Sequence, residues 1–176
     1  MLVVEDSVED EHFLRDLLEE AAEARARRQW MAWEIVFAVT AAEACDLAID
    51  GGFDAILLNL RLPDSPVLHE TYASVFSVAA RTPILVLADE ADDSLEALLL
   101  REGAQDFLVK SELDAAPLAH RLKQAVERQR YVNGLKKDTW PGIPLPHVQH
   151  GAVGCVLPLD LAIGDISVAE RGPNAS

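Results

Sequence analysis

The sequence is short of cysteine, of basic residues and of long uncharged runs, and each shortage excludes something. Two cysteines in 176 residues, Cys45 and Cys155, cannot build a disulfide framework, so free thiols in a reducing compartment are the simplest reading. Lys and Arg total 15 against 30 Asp and Glu, a formal charge of -15. Nucleic-acid surfaces work by neutralising phosphates with basic groups, so no nucleic-acid partner is expected. Adsorption to anionic lipid is disfavoured for the same reason. No stretch reaches the roughly 18 uncharged apolar residues that a bilayer span needs. The best candidate, Gly151 to Ala169, is broken by Asp160 and Asp165. The start, Met1-Leu2-Val3-Val4, turns acidic at Glu5-Asp6 with no basic segment ahead of it. No secretory signal is read there, and a cytoplasmic location is expected.

What is present is an alternation. The chain is 50% hydrophobic and 26% charged, a balance suited to one globular domain with an appendage. Leu2 to Val4 is a short apolar run, and His12 to Arg28 has Phe13, Leu17, Leu18 and Ala21 at helical spacing. Ile35 to Val39 reads as a strand nearer an edge. Thr40, with Glu43 three residues on, predicts a capped helix over 41–50 that Gly51-Gly52 ends. Ala55 to Leu58 is an apolar run suited to a strand buried on both faces. A helix around His69 to Ala80 follows, then a buried strand at Ile84 to Leu87. Asp92 or Asp93 caps a helix over 94–102 stopped by Gly103. Phe107 to Val109 is another buried strand, and Leu113 to Arg130 a last helix.

Five strands alternating with five helices imply parallel units with right-handed crossovers and an open, doubly wound α/β sheet. Sites in such sheets lie beyond the carboxyl ends of the strands. Those ends carry Glu5 and Asp6, Asn59 before the loop Arg61-Leu62-Pro63-Asp64, Ala88-Asp89, and Lys110. In the flavodoxin-like strand order 2-1-3-4-5, two carboxylates, an amide and an ammonium converge on one basin. Adjacent carboxylates suit a hard cation such as Mg²⁺. A lysine opposite them holds a phosphoryl oxygen or neutralises the acids.

At these residues the sequence resembles the receiver domain of bacterial two-component response regulators. The matching segments are residues 2–7, 53–65, 82–87 and 103–110, and the resemblance spans roughly 1–130. It implies a phosphorelay role in which an aspartate closing the third strand accepts a phosphoryl group from a sensor histidine kinase. Here that position is Asn59. A neutral amide oxygen is a poor nucleophile, and phosphoryl transfer needs little from the protein beyond nucleophile, metal and positioning. Ala88 stands where the family usually has Ser or Thr to bond the phosphoryl group. Phe107 stands where an aromatic ring often turns inward on activation, and it lacks the hydroxyl of Tyr. The chain therefore reads as a pseudo-receiver, not an enzyme, with the fold kept and the phosphorylation switch missing.

Several readings stay open at this stage. Glu5, Asp6, Asn59 and the Arg61 carbonyl are a weak magnesium site, or the acids are a solvated strand end. The Asn59 amide can donate to Glu5 or Asp6, and Lys110 can be a plain counter-ion. The rival is an active phosphoacceptor using a non-standard carboxylate, Asp64 or Asp89, or a receiver whose acceptor Asp was substituted by Asn. An unrelated flavodoxin-like fold binding a small ligand is a third reading, although no glycine-rich phosphate loop follows the first strand. The expected partners are a sensor histidine kinase, an output domain or a second copy, with homodimerisation through the fourth helix, fifth strand and fifth helix. The basic run Arg121, Lys123, Arg128, Arg130, Lys136, Lys137 reads as a solvated helix face. A boundary near Asn133 divides the receiver-like 1–132 from a Pro-rich, apolar tail at 133–176, whose Val153 to Val168 is expected to dock on the body or on another subunit. His147, His150 and Cys155 are loosely spaced and lack a fourth ligand for a metal set.

Overall fold

A computed structural model describes residues 1–26, 33–79 and 81–138. The chain runs β1 (Leu2–Val4), α1 (Val8–Ala26), β2 (Val36–Ala38), α2 (Ala41–Asp50), β3 (Ile56–Asn59), α3 (Leu68–Ala79), β4 (Ile84–Ala88), α4 (Asp93–Glu102), β5 (Asp106–Val109), a 3₁₀ turn (Lys110–Glu112) and α5 (Ala115–Asp138). The five strands form one parallel sheet in the order β2-β1-β3-β4-β5. This is the doubly wound architecture that the alternation implies.

The sheet explains the unbroken apolar runs. Because successive side chains point to opposite faces, Leu2, Val4, Ile56, Leu58, Ile84 and Val86 pack under α2, α3 and α4. Met1, Val3, Leu57, Leu85, Leu87 and Leu108 pack under α1 and α5. Every residue of β1 and β3 is buried. On the edge, the Phe37 ring is covered by the Arg15 guanidinium, 4.4 Å from its centroid.

The helix punctuation is mostly where the sequence places it. Thr40 accepts from the Glu43 N–H at 3.1 Å, and the Glu43 carboxylate reaches back one residue further than a capping box, to the Val39 N–H at 2.9 Å. Asp92 caps α4 through the N–H groups of Ser94 and Leu95. Two differences stand out. The first helix begins at Val8 rather than His12, because Ser7 caps it: its hydroxyl accepts from the Asp10 N–H at 3.3 Å. On this helix Leu14 is buried beside Leu17, Leu18 and Ala21, and Phe13 is exposed. The last helix continues to Asp138, past Asn133.

Three arginines of the basic run, exposed as a solvated face requires, also pair with the body of the domain. Arg121 pairs with Asp106 at 3.2 Å, Arg128 donates to the Gln105 carbonyl at 3.2 Å, and Arg130 meets Asp54 at 2.7 Å. Trp33 packs against the α1/α5 side of the core. Trp30, His147, His150, Cys155 and the apolar segment 153–168 lie outside the described residues, as does most of the tail. Among the described residues, no helix is long and apolar enough to cross a membrane.

Gly103 is the position where the fold most needs a glycine. It closes α4 at φ 114°, and a Cβ there would stand 3.2 Å from two ring carbons of Phe76. Phe76 stacks on Tyr72 at 5.4 Å. Burial first, and then the charge of Glu102, pushes the Tyr72 phenol up to about 12. Gly103→Ala combines a left-handed backbone with a crowded ring, so it is expected to destabilise by about 1–3 kcal/mol in urea unfolding; an unchanged midpoint contradicts this packing.

Candidate functional site

The carboxyl ends of β1, β3, β4 and β5 gather into one basin. At its floor is Glu5, a carboxylate 1% exposed at the end of β1. An isolated buried charge is costly, so every oxygen of Glu5 needs a partner. Its Oε1 accepts from the Asn59 amide at 2.9 Å and from the Ser7 N–H at 3.2 Å. Its Oε2 receives no well-aligned hydrogen bond and is held by charge, 2.8 Å from the Lys110 ammonium.

Lys110 is the common counter-ion of the basin. It starts the 3₁₀ turn after β5, and its Nζ lies 2.6 Å from Asp10 Oδ2 and 3.2 Å from Asp89 Oδ1, besides Glu5. Burial works to lower its pKa. The contacts to Asp10 and Glu5, the Glu5 charge and the contact to Asp89 outweigh that and hold it above the ordinary lysine range. Asp10 reaches the site only because α1 starts at Val8. Its signal in the sequence was Ser7-Val8-Glu9-Asp10, a capping residue with an acid three residues on. Asp89 also approaches Arg61, whose Nε is 3.6 Å from Asp89 Oδ2 on an exposed side chain.

Asn59 closes β3 and is 3% exposed. Its Oδ1 accepts from the Arg61 N–H at 3.1 Å. Its Nδ2 faces three oxygens: Glu5 Oε1 at 2.9 Å, the Arg61 carbonyl at 3.2 Å and, more weakly, Asp6 Oδ1 at 3.4 Å. Asp6 itself is exposed. Ala88 borders the same cleft from the end of β4, with Leu68 and Leu95 along its wall. Phe107 is turned into the core beneath α4, 6% exposed.

Glu5, Asp6 and the Arg61 carbonyl are the hard-oxygen donors that suit magnesium. Asn59 does not complete such a set in this conformation. The atom able to coordinate, Oδ1, is committed to the Arg61 N–H, and the group facing the donors is an NH₂. Among the described residues, no three His, Cys, Asp or Glu side chains are arranged to hold a metal ion.

Asp64 does different work. Its two oxygens accept from the N–H groups of Ala41 and Ala42 at 2.9 Å each, tying the loop after β3 to the start of α2. What little burial it has acts to raise its pKa, and the two backbone N–H groups overcome this and hold it below the usual aspartate value. That contribution is present at neutral pH and is lost as pH falls through the depressed value.

No family model matches the sequence, and no curated protein matches it significantly. The fold does match solved structures. One is the receiver domain of a sensor histidine kinase from Pseudomonas aeruginosa PAO1, with a magnesium ion coordinated in its active-site cleft; the TM-score is 0.56 at 22% identity, over 72% of this chain and 95% of that one. A CheY-like response regulator receiver domain protein from Methanospirillum hungatei gives 0.61 at 18%, over 74% and 95%. The signal receiver domain of an HD-domain-containing protein from Pseudomonas fluorescens gives 0.62 at 22%, over 76% and 90%.

Lys110→Met removes the cation that neutralises a buried carboxylate. A loss of about 3–5 kcal/mol is expected in urea unfolding at pH 7. Because the folded pKa is raised, the stabilisation from Lys110 is complete below the ordinary lysine pKa and fades only as pH climbs beyond it. The wild-type and Lys110→Met stabilities should therefore run parallel from pH 7 to 9; a gap that closes within that range contradicts the assignment. These similarities, at 18–22% identity, show that the chain shares the doubly wound fold of those receiver domains.

Proposed function

We propose that this chain is a receiver-type interaction module that works without phosphorylation. The observation that carries this reading is Asn59: the side chain at the acceptor position is an amide, and both of its polar ends are engaged by the surrounding backbone and carboxylates. An acceptor must offer an anionic oxygen in line with the donor. Asn59 has no such oxygen, and Ala88 beside it has no hydroxyl to steady a phosphoryl group.

The neighbouring carboxylates are poor substitutes. Asp64 is spent on the N-terminus of α2, and Asp89 is shared between Lys110 and Arg61. A module of this kind responds to what it binds, since a ligand shifts only equilibria in which it binds one state better. We assign the contact surface to α4, β5 and α5, for a sensor histidine kinase, an output domain or a second copy of the chain. Leu98 and Leu100 are exposed on α4, and β5 is an edge strand. The role is binding rather than catalysis, and the formal charge of -15 argues against a nucleic-acid partner.

Incubating the full chain with acetyl phosphate and Mg²⁺ tests the reading. Intact mass is expected to be unchanged, and the backbone NMR spectrum around residues 59 and 88 is expected to stay put with beryllofluoride. A mass gain of one phosphoryl group mapped to Asp64, Asp89 or Asp6 overturns it. Asn59→Asp should restore at most slow labelling, with little spectral change on α4 because Ala88 cannot report the phosphoryl group; rapid labelling with a full shift of α4 would show that one atom alone silences the site.

A further inference from the structure

The Asn59 side chain does more than lack a nucleophile. Its Nδ2 is the meeting point of an acidic oxygen from Glu5, the backbone carbonyl of Arg61 and, at longer range, an oxygen of Asp6. Those three oxygens come from the end of β1 and the loop after β3. They are anionic or strongly polarised, and all are acceptors with no proton of their own. Left empty, such a cluster repels itself, because like charges close together in a partly buried site raise one another's energy. A divalent cation relieves that repulsion by accepting lone pairs. An NH₂ group with two partially positive hydrogens relieves part of it by donating to the same lone pairs.

We propose that the Asn59 carboxamide is a built-in occupant of the cation position, so that the amide and a divalent ion exclude each other. One further contact fixes the amide in this orientation. Oδ1 is anchored by the Arg61 N–H, so turning the group over would break that bond and aim an oxygen at two carboxylates and a carbonyl. Lys110 meanwhile neutralises the far oxygen of Glu5 and does not compete for the near one. The basin is thus fastened on both sides without any ion.

This differs from the ordinary reading of an asparagine as a neutral ligand, and the two give opposite predictions. If Asn59 were a ligand, removing it would weaken cation binding. If it is an occupant, removing it should strengthen binding. The strengthening should match the loss of one hydrogen bond to a charged group, about tenfold or more in affinity. The inference rests on the geometry of the basin alone and stands apart from the interaction role: cation affinity reads Asn59, whereas phosphoryl labelling reads the acceptor.

The test uses the full chain, with Mg²⁺ as the probe by isothermal titration calorimetry and Mn²⁺ by loss of its free electron-paramagnetic-resonance signal. Asn59→Ala and Asn59→Ser are compared with wild type, neither substitute being long enough to bridge the three oxygens. Both variants should bind about tenfold or more tightly than wild type. Their melting temperatures should rise with Mg²⁺ while that of wild type stays level. If one variant unfolds without ion, refolding of that variant by Mg²⁺ supports the proposal, and failure of Mg²⁺ to refold it overturns the proposal. Equal or weaker binding by the folded variants also overturns it, as does a wild-type melting temperature that climbs with Mg²⁺ as steeply as theirs.

Discussion

A carboxylate buried at the floor of the basin has to be compensated, and the arrangement around Glu5 follows from that need. Burial of an unpaired charge costs far more than any single hydrogen bond returns. The near oxygen is met by an amide and a backbone N–H, and the far one by an ammonium. Lys110 then draws in Asp10 from α1 and Asp89 from the end of β4, so one cation fastens the first helix, the first strand and the β4–α4 connection together. Because the group closing β3 is an amide instead of a third acid, the basin carries one negative charge fewer, although Glu5, Asp6, Asp10 and Asp89 still outnumber the Lys110 ammonium.

The sheet was legible in the sequence because its physics is local and strong. Ile56-Leu57-Leu58 and Ile84-Leu85-Val86-Leu87 are apolar at every position, a pattern that only burial on both faces explains, and they form the central pair of strands. Thr40, Asp92 and Gly103 marked helix ends through capping chemistry that needs no tertiary contact. The convergence of Glu5, Asn59 and Lys110 followed from topology, since parallel strands deliver their carboxyl ends to one side.

Less was legible where a residue's partner is distant in sequence. Asp64 reads as a spare carboxylate beside the site, yet it caps a helix 22 and 23 residues earlier in the chain. Asp10 is one acid among many at the start of α1, and only its position 100 residues from Lys110, brought close by the sheet, distinguishes it. Phe13 fits the helical spacing, but the packed face of α1 runs through Leu14, Leu17, Leu18 and Ala21 and leaves Phe13 outside it. The orientation of the Asn59 amide was also beyond the pattern of residues, because the Arg61 N–H that fixes it becomes available only through the turn of the loop after β3.

The central claim is that the Asn59 amide is held by Glu5 and the Arg61 carbonyl in the metal-free protein. Solvent exchange of its side-chain N–H protons, followed by ¹⁵N-resolved NMR in the presence of a chelator, tests this most directly. The account predicts protons exchanging far more slowly than those of a free carboxamide in a short unstructured peptide. Exchange at the rate of a free carboxamide would mean that the amide is not bound in the basin, and the account of its internal neutralisation would fail.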